Sequence, residues 1–449
     1  MSDNTVSPAG AASPIARAER IDTLDIVRGF ALFGILLMNI VAMGLPGQAY
    51  FNPAALGEPT AAETTTWFIT HSFFEGTMRT LFSMLFGAGF VLLLDRLDAR
   101  GLGMAGAKIY MRRMLLLMGF GLINIGLLAW YGDIVFAYGL CGVFLLVFWR
   151  AKLRGLLVWA AIFFAATTLM NVGGGFKMGQ ITAPYEEAVA AREAGETLSE
   201  EQESAIESYD EMSAWFSSDP KGIAESFEPY EDGWLAVGAS NMGEYFGASL
   251  AFYAPFHLFD PLAAMLLGMI AFRIGLLQGG WGWKPVLALT VGALVIAVPV
   301  NLRETLMIQD GGYSPEAIFS SLATYDLGRV SMALAWLGIF LLLCKSPLFG
   351  LLKASVGAVG RMALTNYLAH SLMAAIVFIA MGWYGELARN ELYLVVAGMW
   401  AVNIVFSMAW LSVFAMGPLE YLWRAGTYGR WPQLLKGKPA APETPAPAL

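Results

Sequence analysis

The residues that could do chemistry are polar groups set inside long apolar stretches. The first stretch, residues 24–40, reads LDIVRGFALFGILLMNI and is interrupted by Asp25, Arg28 and Asn39. Charged and polar side chains are costly inside a membrane, so each one marks a candidate functional site. The simpler alternative is that Asp25 caps the helix while Arg28 extends to the lipid headgroups.

A second group of candidates lies in HSFFEGTMRTLFSMLFGAGF, residues 71–90. Glu75 and Arg79 are four residues apart, so they would share one helix face and could form an ion pair. His71 precedes them in the same segment. The alternative is a purely structural ion pair near the outer boundary of the membrane.

Further candidates lie in three other apolar segments. Asp133, in WYGDIVFAYG, is either a functional group or the N-cap of the following helix. His370, in NYLAHSL, has Asn366 one turn before it, and its alternative role is that of a hydrogen-bonded packing histidine. Asp326 and Arg329, in TYDLGRV, have the spacing of another boundary ion pair.

The elements that must position these groups are transmembrane helices. Of the 449 residues, 57% are hydrophobic and 14% are charged, and the mean hydropathy is +0.59. Apolar runs of about 18 or more residues recur, which is typical of membrane spans. The sequence predicts an all-α polytopic membrane protein with about ten transmembrane helices, at residues 24–45, 74–95, 112–130, 133–149, 154–172, 250–277, 284–302, 327–344, 362–384 and 391–415.

The basic residues fall on alternate sides of these spans. The N-terminal segment, every second loop and the C-terminal tail hold Lys and Arg, whereas the loops between them hold few. Because cytoplasmic loops carry an excess of Lys and Arg, both termini are predicted to be cytoplasmic.

The predicted spans divide the chain into five parts. A flexible tail, 1–20, precedes an N-terminal five-helix membrane unit, 21–172. Residues 173–249, with sixteen acidic and three basic residues, are predicted to form a helical extracytoplasmic insertion. It is either a solvated cap or a contact surface for an external substrate. A C-terminal five-helix unit with an interfacial final segment, 250–432, and a disordered tail, 433–449, complete the chain.

Several kinds of site are not indicated. Cys141 and Cys344 both lie in apolar segments, which suggests neither a disulfide framework nor a metal site. His257 and Asp260 are three residues apart, but no third ligand is obvious. The sequence has no phosphate-binding loop, no nucleophile elbow and no basic nucleic-acid patch, so neither a metal nor a nucleic acid is predicted as a partner.

Several motifs resemble one family of membrane proteins. They are the pattern Leu-Asp-x-x-Arg-Gly-x-Ala from residue 24, LFSMLFGAGF at 81–90, GDIVFAYGL at 132–140, GRMALTNYL at 360–368 and GPLEYLWRAGTYG at 417–429. Together they resemble the YeiB-like family, whose C-terminal half is a domain of unknown function numbered 418. That family falls within the superfamily of transmembrane acyltransferases.

The superfamily comparison concerns the spacing of Arg28 and Asn39. In family 3 acyltransferases of bacterial membranes, the first-span arginine is followed eleven residues later by a histidine. The related heparan-glucosaminide N-acetyltransferases carry an asparagine there, as this chain does. Those enzymes take acetyl-CoA from the cytosol and acetylate a sugar on the other side. They also use a histidine soon after the asparagine, whereas IVAMGLPGQAYFNP has none here.

The resemblance implies a binding site for an acyl-CoA donor, acetyl-CoA being the first candidate. Arg28, at the cytoplasmic edge, would meet the CoA phosphates, because a guanidinium suits phosphate recognition. Asp25 would hold Arg28 in place, and Arg361 and Asn366 are further expected contacts of the donor.

The resemblance also implies a set of catalytic residues. Eleven residues of helix rise about 16 Å, so Asn39 lies deeper than Arg28 and could orient the acyl carbonyl. Asp133 would accept the acceptor's proton, and Arg79 would tune Asp133 or stabilise negative charge. His71 or His370 is the fallback base.

Acyl transfer in the inner membrane of a bacterium is therefore the first functional hypothesis. The expected partners are membrane lipids and an acceptor, which is a sugar, a lipid headgroup or a small metabolite, and a homodimer is a possible assembly. The alternative hypothesis is a transporter or permease without acyl chemistry, which would use the same polar interior as a path.

Overall fold

The structure is a computed structural model that describes residues 22–213, 216 and 219–436, without the side chains of residues 248–257. The regular secondary structure of the described residues consists of helices and one isolated bridge between Phe414 and Leu435, so the all-α prediction is confirmed. The first half contains α1 Asp22–Gly44, α2 Ala61–Phe74, α3 Thr77–Ala99, α4 Gly103–Gly126, α5 Val135–Leu145 and α6 Leu153–Glu193.

The rest of the chain begins with four shorter helices. These are α7 Glu200–Ser213, α8 Pro220–Glu225, α9 Glu228–Glu231 and α10 Trp234–Glu244. The second group of long helices follows. It consists of α11 Leu250–Arg273, α12 Trp283–Asp310, α13 Pro315–Ser321, α14 Tyr325–Lys345, α15 Gly350–Arg361, α16 Ala363–Ala374, α17 Leu392–Val413 and α18 Pro418–Tyr428. A π-helical segment, Ala375–Ala380, extends α16.

Within the described residues, eight helical segments are long and apolar enough to cross a membrane. They are α1, α2 together with α3, α4, α6, α12, α14, α16 with its extension, and α17. The chain is therefore a multi-pass membrane protein. The two other predicted spans correspond to the shorter apolar helix Val135–Phe148 and to α11. The total of ten transmembrane helices stays a prediction.

Two predicted boundaries differ from the structure. The span expected to end at 172 continues as one helix to Glu193, so the acidic insertion begins inside α6. The tail expected from 433 pairs with the end of α17, because the Ala415 amide donates to the Leu434 carbonyl and the Lys436 amide to the Val413 carbonyl. These backbone pairs hold residues that the prediction assigns to a disordered tail, and the rest of that tail, 437–449, like the predicted N-terminal tail, 1–20, lies outside the described residues.

The helix break at Gly76 positions the polar groups of the second predicted span. Gly76 has φ of +62°, a left-handed conformation that costs glycine little, and it separates α2 from α3. Glu75 lies in this break, while Arg79 lies in the first turns of α3. The two side chains therefore do not have the spacing of one continuous helix.

The motif around Arg28 has a packing role at the crossing of α1 and α15. A Cβ atom at Gly29 would clash with the Val356 carbonyl, and one at Gly360 would clash with the Asp25 carbonyl. The two backbones therefore touch at this crossing, as small residues permit between membrane helices. This contact brings Arg28 and Arg361 to the same end of the helix bundle.

The predicted orientation can be tested at the insertion. Ser199 is exposed between α6 and α7. A Ser199→Cys variant is expected to react with a membrane-impermeant thiol reagent in intact spheroplasts, because the basic residues favour placing this segment outside the cytoplasm. The unmodified protein is the control for its two native cysteines, of which Cys141 is buried. Labelling only after lysis would mean that the insertion faces the cytoplasm and that the predicted orientation is wrong.

Candidate functional site

A cavity of about 280 Å³ opens at the end of the bundle where α1 begins. Among the residues that the structure describes, five arginines line it, against the two carboxylates of Asp25 and Glu420. The arginines come from five different helices and are Arg28, Arg96, Arg113, Arg361 and Arg424. We call this space the arginine cavity. The basic side chains among its described lining residues suit an anionic group, above all a phosphate.

Two of the arginines are held by contacts that keep them at the cavity wall. Arg28 Nη1 lies 2.9 Å from the Asp25 carboxylate, one turn away on α1. The Arg113 guanidinium stacks on the Trp423 ring, 3.5 Å from its centroid. The Trp423 indole in turn donates to the Arg113 carbonyl at 2.9 Å. Stacking on an aromatic face leaves the guanidinium edges able to bind an anion.

The inner part of the arginine cavity is aromatic and apolar. Phe82, Phe86 and Leu85 of α3 line it together with Tyr138 of α5 and Tyr367 of α16. The cavity thus changes from cationic at the end of the bundle to apolar inside it. Such a gradient fits a ligand with an anionic head and a slender, less polar arm.

Glu420 fixes one wall of the cavity by capping α16 from α18. Its carboxylate accepts from the Leu364 amide at 2.8 Å, the Thr365 amide at 3.1 Å and the Thr365 hydroxyl at 2.6 Å. Burial raises the pKa of the Glu420 carboxyl, and these hydrogen bonds act against that rise. The cap links the two C-terminal motifs and orients the first turn of α16, directly before Tyr367.

A cluster of buried ion pairs lies deeper in the bundle. The Asp260 carboxylate contacts both Arg79 and Arg329, and it is 1% exposed. Arg329 also lies 2.6 Å from Asp326, so the ion pair predicted from the TYDLGRV spacing is confirmed. Asp326 accepts from Thr167 and Thr168 of α6 at 2.7 and 2.8 Å. Four helices, α3, α6, α11 and α14, are joined by this cluster.

The expected ion pair between Glu75 and Arg79 was wrong. Glu75 accepts hydrogen bonds from the Tyr50 hydroxyl and, at 3.1 Å, from the Tyr325 hydroxyl, whereas Arg79 pairs with Asp260. The break at Gly76 separates the two residues, and Asp260 supplies the opposite charge from a distant part of the chain. The Asp260 carboxylate is therefore a partner of arginines, and the side chain of His257 lies outside the described residues.

Three of the four predicted donor-binding residues, Asp25, Arg28 and Arg361, line the arginine cavity. Asn366 lies elsewhere: its amide donates to the Val359 carbonyl at 3.0 Å and to the Ser407 hydroxyl at 2.9 Å. That geometry is typical of a structural link between helices. The functional roles of all four residues stay predictions.

The predicted catalytic residues have different hydrogen-bond and ion-pair partners. Asp133 accepts from the Phe136 amide at 2.6 Å and from Asn124 at 2.8 Å, and it directly precedes Ile134, the N-cap residue of α5. Arg79 belongs to the ion cluster, and Asn39 is half-buried in the last turns of α1. None of these three residues is among the described residues that line the arginine cavity. Ile134, which does line it, follows Asp133 directly in the sequence.

The two histidines occupy different surroundings. The His71 ring stacks on Trp67 with 5.0 Å between centroids, in an aromatic cluster that includes Phe51 and Tyr313. His370 is buried, and its Nε2 lies 2.5 Å from the Asn403 amide nitrogen. Neither ring is among the described residues that line the arginine cavity.

The fold and the cavity define the class: a multi-pass helical membrane protein with an arginine-lined cavity at one end of its bundle. A family model described as Protein of unknown function (DUF418) matches residues 271–430. The uncharacterized protein YeiB of Escherichia coli is 32% identical over 409 residues, which cover 90% of this chain and 96% of YeiB. The chain therefore belongs to the DUF418 family, which confirms the predicted resemblance to YeiB, while its place among the transmembrane acyltransferases stays a prediction.

A second relative supports the same assignment. The uncharacterized protein YxaH of Bacillus subtilis is 29% identical over 443 residues, which cover 94% of this chain and 98% of YxaH. Both alignments extend across the N-terminal half, so the likeness is not confined to the C-terminal domain. No solved structure matches the chain at a significant level.

The sequence patterns do not identify several cavity residues, among them Arg96, Arg113, Arg424 and Tyr367. The three arginines belong to the basic segments that indicate the orientation, and Tyr367 is one residue of the GRMALTNYL motif. Their basic or aromatic character near span ends was the available signal. Their convergence depends on how α3, α4, α16 and α18 pack, which no local spacing reveals.

Proposed function

We propose that this protein is an integral membrane acyltransferase, which moves an acyl group from a cytosolic acyl-CoA to an acceptor in or beyond the membrane. The observation that supports this function best is the arginine cavity, with five guanidinium groups at its mouth and an apolar interior. Acetyl-CoA is the first candidate for the donor.

The chemistry of coenzyme A matches the two parts of the cavity. Its ribose phosphate and diphosphate carry several negative charges, which arginines bind through charge-assisted hydrogen bonds. Its pantetheine arm is slender and mostly uncharged, so it suits the segment lined by Phe82, Phe86 and Leu85. This arrangement would bring the thioester towards Tyr138 and Tyr367, inside the bundle.

The proposed reaction is a direct transfer. A hydroxyl or amine of the acceptor attacks the thioester carbonyl carbon, a C–O or C–N bond forms, and the C–S bond breaks. The acceptor's proton passes to a base and then to the departing thiolate. Asp133, beside the cavity residue Ile134, stays the proposed base, with Asn39 and Arg79 as proposed polar partners and His71 or His370 as the fallback.

The proposed setting is the inner membrane of a bacterium, with the arginine cavity on the cytoplasmic side, where acyl-CoA is present. The acceptor would be a sugar, a lipid headgroup or a small metabolite. The acidic insertion, 173–249, is proposed to face the opposite side. Lipids surround the spans, and a homodimer is a possible assembly.

The donor site can be tested at Arg28. An Arg28→Gln variant is expected to bind acetyl-CoA about 10- to 100-fold more weakly, because a hydrogen bond to a charged group contributes about 1.5–3 kcal/mol. The measurement is the dissociation constant of purified, monodisperse protein. Arg150→Gln is the matched control, since Arg150 is 76% exposed and pairs with Asp98. Equal affinity of the Arg28 variant and the control would contradict a role of Arg28 in donor binding. Its alternative role, contact with the lipid headgroups, would then stand.

A transporter of a small metabolite is the second candidate, and the buried ion cluster favours it. Ionisable groups inside a membrane protein often mark the path of an ion or a proton, and Asp260 with Arg79 and Arg329 forms such a group. Purified protein in liposomes distinguishes the two functions. Release of free CoA from acetyl-CoA supports the transferase, whereas solute uptake without acyl-CoA binding supports the transporter.

A further inference from the structure

The hydroxyl group of Tyr367 has an unusual set of neighbours at the inner end of the arginine cavity. It accepts a hydrogen bond from the Trp130 indole nitrogen and another from the Ile134 amide, each at 3.3 Å. The Tyr367 side chain is 3% exposed and lines the cavity. Both neighbours are donors, and neither can accept the phenol proton.

The phenol proton is therefore left to donate. A tyrosine hydroxyl has one proton and accepts through its oxygen lone pairs, which these two donors occupy. Among the described residues, the structure gives no acceptor for that proton, so it is available to a ligand in the cavity. Tyr138, another phenol that lines the cavity, differs because its hydroxyl donates to the Arg79 carbonyl at 3.1 Å.

We propose that the Tyr367 hydroxyl is a catalytic residue that donates a hydrogen bond to the carbonyl oxygen of the bound thioester. This inference rests on the proposed acyl transfer. When the acceptor attacks, the carbonyl π electrons move to oxygen, and the Tyr367 hydrogen bond stabilises that negative charge. As the intermediate collapses, the C–S bond breaks and the thiolate leaves, while Tyr367 keeps its proton throughout.

The surroundings of Tyr367 suit this role. The two hydrogen bonds it accepts polarise its O–H bond and make it a stronger donor. Asp133 accepts from the Phe136 amide and so fixes the backbone next to Ile134, while Glu420 caps the first turn of α16. The hydroxyl is thus held before the substrate arrives, which is what an oxyanion donor requires.

The test is isotope-edited infrared spectroscopy of acetyl-CoA labelled with ¹³C at the thioester carbonyl and bound to the purified protein. In the unmodified protein the carbonyl band is expected at lower frequency than in buffer. A Tyr367→Phe variant is expected to lose that shift and still bind acetyl-CoA. Its rate of CoA release is expected to fall about 10²- to 10³-fold, the usual loss for one oxyanion donor.

Tyr393→Phe is the matched control, because the Tyr393 hydroxyl donates to the Leu37 carbonyl at 3.0 Å, outside the cavity lining. It should keep the shifted band. The same band in Tyr367→Phe and in the unmodified protein overturns the role of Tyr367 and leaves the donor site standing. Failure of the unmodified protein to bind acetyl-CoA overturns the proposed function itself. Should Tyr367→Phe fold poorly, Trp130→Phe provides a second test, since losing its hydrogen bond should weaken the shift.

Discussion

Replacing Asp260 with alanine is expected to destabilise the protein by about 3–5 kcal/mol, the cost of leaving a buried charge without its partner. Asp260 contacts both Arg79 and Arg329, and Arg329 is 1% exposed. Without the carboxylate, the two guanidinium groups would repel each other without the counterion they share. Asp326 would be left to balance both.

Thermal unfolding of the purified variant, followed by the loss of monodisperse protein, measures this effect. Asp98→Ala is the matched control, since the Asp98–Arg150 pair is 3.7 Å long and both side chains are exposed. Surface pairs of this kind contribute about 0–1 kcal/mol. Equal midpoint temperatures of unfolding for the two variants would contradict this prediction. They would mean that water or other groups compensate the two arginines when the Asp260 carboxylate is removed.

A Gly89→Leu substitution is expected to block donor binding without unfolding the protein. Gly89 of α3 lines the arginine cavity, and a Cβ atom there would meet no other atom within 4 Å. The leucine side chain would occupy the apolar part of the cavity, where the pantetheine arm is proposed to lie. Acetyl-CoA affinity should fall at least about tenfold, a loss of about 1.4 kcal/mol or more.

The matched control for this variant is Gly292→Leu on α12. A Cβ atom at Gly292 also meets no atom within 4 Å, and the residue is exposed, outside the cavity lining. Both substitutions bring the same change in helix propensity and volume, so a difference in affinity comes from the cavity. Full acetyl-CoA affinity in Gly89→Leu would remove this cavity as the donor site.

The sequence predicts the features that depend on local spacing. Asp326 and Arg329 are three residues apart on one helix, and their ion pair is confirmed. The partner of Arg79 could not be found in this way, because Asp260 is 181 residues away in the chain. Glu75 was the nearest opposite charge in sequence, but the left-handed turn at Gly76 separates it from α3.

The cavity was predictable only in part, for the same reason. Arg28 is distinctive because it interrupts the first apolar stretch, and Arg361 because it belongs to the GRMALTNYL motif. Arg113 and Arg424 reach the same space only through the packing of α18 against α4, where Trp423 covers Arg113. The role of Tyr367 depends on two donors, Trp130 and Ile134, whose positions no sequence pattern indicates.

Calorimetric titration of the purified protein with acetyl-CoA tests the central proposal most directly. The arginine cavity predicts binding of one acetyl-CoA per chain, with an affinity that falls as the salt concentration rises, because salt screens the attraction between phosphates and half-buried guanidinium groups at an open cavity mouth. The acetyl thioester of pantetheine, which lacks the phosphates of coenzyme A, is expected to bind far more weakly. Absence of binding at millimolar acetyl-CoA, or equal affinity for the two compounds, would contradict an acyl-CoA site at these arginines.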